Sequence, residues 1–171
     1  WKTSWLGVEQ KTLQISVKIL IELPTWLGDA VMATSAIENL AIFFDDSEIT
    51  LIGSDIAIDA LKNHPKVTKT VVLDKKYTSL AKISRELGSF EAFFSFRGSM
   101  RSKFLKFSIS AKNKYQFNKN KYPNRHQVEK YIDFINDSLG TNFPASKLTL
   151  STINSKPSTV KTLGINPGAS Y

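Results

Sequence analysis

The chain has 171 residues, 42% hydrophobic and 22% charged. That is an ordinary globular composition, sized for one domain that buries about 70% of its unfolded surface. With no cysteine and only two histidines, His64 and His126, it excludes disulfides, thiolate catalysis and cysteine-based metal sites, and argues against zinc. The net charge is +8, yet nine Lys or Arg and no acid fall between positions 92 and 128. The basic excess is one localised stretch, which points to an anionic partner: nucleic acid, a phosphorylated glycolipid or a membrane surface. No apolar run approaches the ~18 residues of a membrane span. No secretory pattern is visible either, so a cytoplasmic location is expected.

The chain begins with Trp1, which leaves open that it is a fragment, and residues 1–16 read as an extension of uncertain structure. Residues 17–23 are a nearly continuous Val/Ile/Leu run, as for a strand buried on both faces of a parallel sheet. A loop, Pro24-Thr25-Trp26-Leu27, leads into a helix predicted over 28–44 from apolar positions at three- to four-residue spacing. Strands follow over 48–53, 67–73, 92–96 and 115–117. Helices are predicted over 55–61 (capped by Ser54 or Asp55), 78–87, 100–109 and from Pro123 to Leu139. Residues 142–160 are polar, contain two prolines and read as a linker; 161–166 form one more strand, followed by Pro167-Gly168-Ala169-Ser170. Alternating strands and helices predict an α/β, Rossmann-like domain over 17–141, its sheet mostly parallel and flanked by helices. Residues 161–171 look like the opening of a second domain.

Four segments in order, KILIELPTWLGDAVMATSAIENL from Lys18, FRGSMRSK from Phe96, HQVEKYIDFI from His126 and LGINPGAS from Leu163, resemble the bacterial ADP-heptose:lipopolysaccharide heptosyltransferases. Within that family the pattern is most similar to the heptosyltransferase II branch. The resemblance implies a GT-B fold, two Rossmann-like domains across a cleft. This chain supplies the N-terminal, acceptor-binding domain and only the first strand and loop of the donor-binding domain, so alone it is expected to be inactive. The implied reaction is inverting transfer of L-glycero-D-manno-heptose from ADP-L-glycero-β-D-manno-heptose to the inner core, heptosyl-Kdo-lipid A. No cofactor and no metal are expected. The expected partners are the lipopolysaccharide inner core on lipid A, ADP-heptose and the cytoplasmic membrane surface, where the protein would sit peripherally on the inner face. No nucleic-acid partner is expected.

Read from the residues alone, Asp29 is a helix cap before it is a base; the resemblance reverses that order and places the general base on Asp29. Gly28 would let the backbone approach substrate, and with Gly168 and Ser170 it is assigned to donor binding. Arg97, Ser99, Arg101 and Lys103 follow the fourth strand, on the same sheet edge as Asp29 if the sheet is parallel. They suit an acceptor carrying carboxylates and phosphates, the alternative being a solvated basic face. His126 contacts acceptor or caps the last helix, and Trp26 packs a sugar face or the core. Lys119, Lys121 and Arg125 extend the basic stretch as phosphate or membrane contacts, or as a solvated face. Two other classes of function stand beside the transferase: a basic nucleic-acid-binding domain stacking bases on Tyr115, Phe117 and Tyr122, and a nucleotide-binding Rossmann domain. The second lacks Gly-x-Gly-x-x-Gly after the first strand.

Overall fold

A computed structural model describes residues 16–74 and 77–151. Strand β1 (Val17–Glu22) leads into α1 (Leu27–Met32) and α2 (Thr34–Phe43); β2 (Ser47–Gly53), α3 (Asp55–Leu61), β3 (Val67–Val72) and α4 (Tyr77–Glu86) follow. Then come β4 (Ser89–Ser95), α5 (Met100–Ser108), β5 (Ser110–Gln116), a 3₁₀ turn (Lys119–Lys121) and α6 (Gln127–Leu139). All four strand pairings are parallel and the order is β3-β2-β1-β4-β5. The chain therefore winds outward from β1 in one direction, then crosses back and winds in the other. Loops leaving β1 and β4 diverge, and the crevice between them is where open α/β sheets take ligands.

Alternation along the central strands builds two cores. Ile19 and Ile21 of β1 and Ala92 and Phe94 of β4 face α1, α2, α3 and α6. Leu20 and Phe93 face α4 and α5 on the other side. The larger core ends in an aromatic cluster. The Phe96 ring lies 5.2 Å from Tyr131 and 5.6 Å from Phe134, and Phe117 lies 5.0 Å from Tyr131 and 5.8 Å from Phe134. Such pairs contribute about 0.5–1.5 kcal/mol each beyond area burial. They fasten α6 across the C-terminal ends of β4 and β5. Phe117 and Tyr122 are buried in this cluster and Tyr115 stacks on Phe94, so these rings are not free to stack bases.

Two local expectations are corrected. The helix predicted over 28–44 is two helices. The break falls at Ala33, where Thr34 Oγ1 donates to the Val31 carbonyl (2.7 Å) and accepts from Thr149 N (3.2 Å); a threonine bonded back onto its own helix bends it. The last helix starts at Gln127 because Asn124 adopts a left-handed φ of 56°, a conformation that no right-handed helix contains. Residues 142–151 carry no regular element but are bound to α2: Ser146 N donates to Ser35 Oγ (2.8 Å), Asn39 Nδ2 to the Pro144 carbonyl (3.3 Å) and Thr149 Oγ1 to Glu38 (3.0 Å). Helix α6 ends on Gly140, whose φ of 68° suits glycine. The strand expected over 161–166 lies outside the described residues.

Candidate active site

The loop Pro24–Leu27 leaves β1 at the switch point and starts α1, with Trp26 at the cap position and no side-chain capping bond. Asp29 is the third residue of α1 and is half-buried. Its carboxylate makes no hydrogen bond or ion pair among the described residues, so it is not tied down as a cap. Gly28 has an ordinary negative φ, and a methyl group added there would meet nothing within 4 Å. Neither packing nor backbone conformation requires glycine at that point. Trp26 is 74% exposed, which overturns core packing as its role.

Asp29 lies on a cleft of about 850 Å³ lined also by Phe96, Ser99, Lys103, Gln127 and Tyr131. Lys106, Gln116, Asn118, Lys119 and Asn120 complete its polar wall. Lys103, Lys106 and Lys119 make no side-chain bond among the described residues, which leaves three ammonium groups and several amides facing one carboxylate. Burial, with the negative charge of Asp29 as the second cause, pushes the Tyr131 hydroxyl well above its usual range.

The floor of the site is organised by Glu22, 1% exposed at the end of β1. Its Oε2 accepts from Ser95 Oγ (2.6 Å) and its Oε1 from Ser102 Oγ (2.9 Å), with Arg97 Nη1 3.7 Å away. Because the Ser102 hydroxyl proton goes to Glu22, the 2.8 Å contact between Ser99 and Ser102 has Ser99 donating. Ser99 Oγ in turn accepts from Ser102 N and caps α5. Burial pushes the Glu22 carboxyl up, opposed by the two serines and by Arg97 and Arg101.

The structure thus brings Asp29, Ser99 and Lys103 together with Gly28 beside them, and engages other expected residues elsewhere. Arg97 is held by Glu22. Arg101 donates to the Asp74 carbonyl and turns away from the cleft. His126 caps α6: its ring accepts from Val128 N while Glu129 accepts from His126 N, a reciprocal box. Lys121 pairs with Asp137 (2.7 Å), and Arg125 with Glu129 and Asp133. Gly168 and Ser170 lie outside the described residues. Sequence reasoning missed Glu22, Lys106, Gln127 and Tyr131. A lone acid in an apolar strand run was the available sign for Glu22, and three- and four-residue spacing from Lys103 and Gln127 was the sign for Lys106 and Tyr131. Among the described residues no group of three or more acids or histidines could hold a metal, and no helix is long and apolar enough to cross a membrane.

A five-stranded parallel sheet of this order, with a polar cleft at its switch point, is a Rossmann-like domain, the fold of one half of the solved glycosyltransferases that superpose on it. The glycosyl transferase family 9 protein of Veillonella parvula superposes with a TM-score of 0.69 at 19% identity, covering 81% of this chain and 46% of that one. An E. coli heptosyltransferase solved with ADP-2-deoxy-2-fluoro heptose superposes with a TM-score of 0.63 at 14% identity, covering 77% and 51%. In sequence, the chain is 37% identical over 163 residues to lipooligosaccharide heptosyltransferase 2 of Campylobacter jejuni, covering 91% of this chain and 51% of the relative. No protein-family profile matches the chain. The resemblance to the heptosyltransferases therefore holds in sequence and in fold, and the chain spans about half the length of the relatives it matches.

Proposed function

We propose that this chain is the N-terminal, acceptor-binding part of an inverting heptosyltransferase that moves L-glycero-D-manno-heptose from ADP-heptose to the inner core of lipopolysaccharide or lipooligosaccharide. Asp29 is its general base. The acceptor hydroxyl oxygen attacks the anomeric carbon while its proton passes to the Asp29 carboxylate. The bond from that carbon to the diphosphate breaks, and ADP leaves with the electron pair. One in-line displacement inverts the centre and needs no second carboxylate. The observation that carries the reading is the free, half-buried Asp29 carboxylate at the switch-point cleft, opposite Ser99 and the ammonium groups of Lys103, Lys106 and Lys119. Those cations suit an acceptor bearing carboxylates and phosphates. Trp26 and Gly28 are exposed beside Asp29 in the loop and first turn of α1, and Arg97 and Arg101 shape the β4–α5 turn. Gly28, Gly168 and Ser170 belong to the donor side. The donor needs no metal on this reading, and the protein works at the inner face of the cytoplasmic membrane.

The test is transfer by the full-length protein from ADP-heptose to heptosyl-Kdo-lipid A, followed by mass spectrometry. Asp29→Asn should cut kcat about 10²- to 10⁴-fold, the usual worth of a general base, with the melting temperature unchanged because the carboxylate bonds to nothing among the described residues. Transfer within threefold of wild type, or a large loss of stability, would refute the role.

A further inference from the structure

Helix α5 carries its apolar residues on the wrong side for a surface helix. At about 100° per residue, Ser102 and Leu105 face the core, 0% and 1% exposed, while Met100, Phe104 and Phe107 form the stripe directly opposite, 73%, 38% and 87% exposed. The flanks are cationic. Lys103 and Lys106 stand on the side that lines the cleft, and Arg101 stands on the other. Along the chain the charge is of one sign, since positions 92–128 hold nine Lys or Arg and no acid, and Arg101 is bonded to the Asp74 carbonyl. Several of those cations are engaged within the fold, as Lys112 is by Glu91, but Lys103, Lys106 and Lys119 are bonded to nothing among the described residues. A soluble surface normally puts the charges outermost and the aromatics inside.

We infer that the outer face of α5 is a membrane-docking surface, with Met100 and Phe107 entering the headgroup boundary of a bilayer and the flanking lysines meeting anionic phospholipid headgroups. The charge complementarity selects a bilayer over a protein groove, because a partner protein would have to present both an apolar slot and a ring of acids. An amphipathic surface with large apolar side chains and a basic rim binds the interface through buried area and attraction to anionic lipid together. The stripe and the cleft share one helix, so a lipid-anchored acceptor would reach past Lys103 into the cleft toward Asp29. That last step rests on the proposed function; the docking itself does not.

The experiment is co-sedimentation of the full-length protein with vesicles of phosphatidylethanolamine and phosphatidylglycerol, and with phosphatidylcholine vesicles as the neutral arm. A parallel assay measures transfer to a delipidated, water-soluble acceptor. Wild type should bind the anionic vesicles, roughly tenfold or more above the neutral ones at low salt, and lose that preference in high salt. The double variant Met100→Ser, Phe107→Ser should lose most anionic-vesicle binding. Its melting temperature and its transfer to the soluble acceptor should be unchanged, since neither side chain lines the cleft. Equal binding by the double variant and wild type overturns the proposal, as does equal binding to neutral vesicles. Loss of a dimer in the variant with no vesicle binding by wild type overturns it in favour of a second copy on the stripe. If wild type binds vesicles through the stripe but transfers no heptose, the docking stands and the functional reading falls.

Discussion

Replacing Glu22 by alanine is expected to be the most disruptive single change near the site. The side chain is 1% exposed and accepts two serine hydroxyls, at 2.6 and 2.9 Å, beside Arg97 at 3.7 Å. Hydrogen bonds to a charged group are worth about 1.5–3 kcal/mol each, and orphaning the buried donors adds to the loss. Against this stands the cost of burying the carboxylate, the largest influence on its titration. Removing one member of a buried ionic cluster costs about 3–5 kcal/mol, so Glu22→Ala should lose ~3–4 kcal/mol at neutral pH. That is a large share of the ~5–15 kcal/mol that holds such a domain together. Glu22→Gln keeps the volume and one acceptor and should lose ~1–2 kcal/mol. The pH dependence separates the two effects. Because the folded carboxyl binds its proton more tightly than the model value of 4.5, its contribution to stability is complete below the unfolded value and is lost as pH rises through the folded one. Acidification should therefore widen the gap between wild type and Glu22→Gln, by at most ~1.4 kcal/mol per pH unit for one proton. Urea unfolding followed by circular dichroism at neutral pH and near pH 4.5 reads both quantities. A Glu22→Ala loss under ~1 kcal/mol, or a gap that narrows on acidification, would show that Glu22 does not organise the floor of the cleft.

Gly28→Ala should leave the melting temperature equal or slightly raised, since alanine is better than glycine in a helix by up to ~1 kcal/mol and the added methyl meets nothing. It should nonetheless lower kcat/KM at least ~10-fold, about 1.4 kcal/mol, by filling space kept for substrate; unchanged steady-state kinetics would remove Gly28 from the site. His126→Ala should destabilise the chain by about 1 kcal/mol through loss of the α6 cap and leave the KM for acceptor unchanged. A raised KM with no loss in thermal stability would restore His126 as a ligand.

How much could be read from sequence follows the range of each interaction. The fold class was legible because hydrophobic period is local: the Val/Ile/Leu run at β1 and the three- to four-residue spacing of α6 report their own environments. The β1 turn with Asp29 was legible for the same reason, as an abrupt stop at Pro24 followed by helical spacing. The break at Ala33 was not, because it involves Thr149, 115 residues from Thr34. The basic stretch was visible as a count, but a count does not say which cations are engaged.

By itself, then, the sequence determined the alternation of strand and helix, the acid at the mouth of the first turn, and a localised positive charge. Only the tertiary structure decided that Arg97 serves a buried Glu22 while Lys103 and Lys106 remain unbonded among the described residues, and that His126 is a cap. It also decided that Ser99 is tied through Ser102 to a residue 80 positions before that serine. The reason is physical. Backbone and burial preferences act over a few residues, whereas an ion pair or a cleft wall needs groups that only the strand order β3-β2-β1-β4-β5 brings side by side.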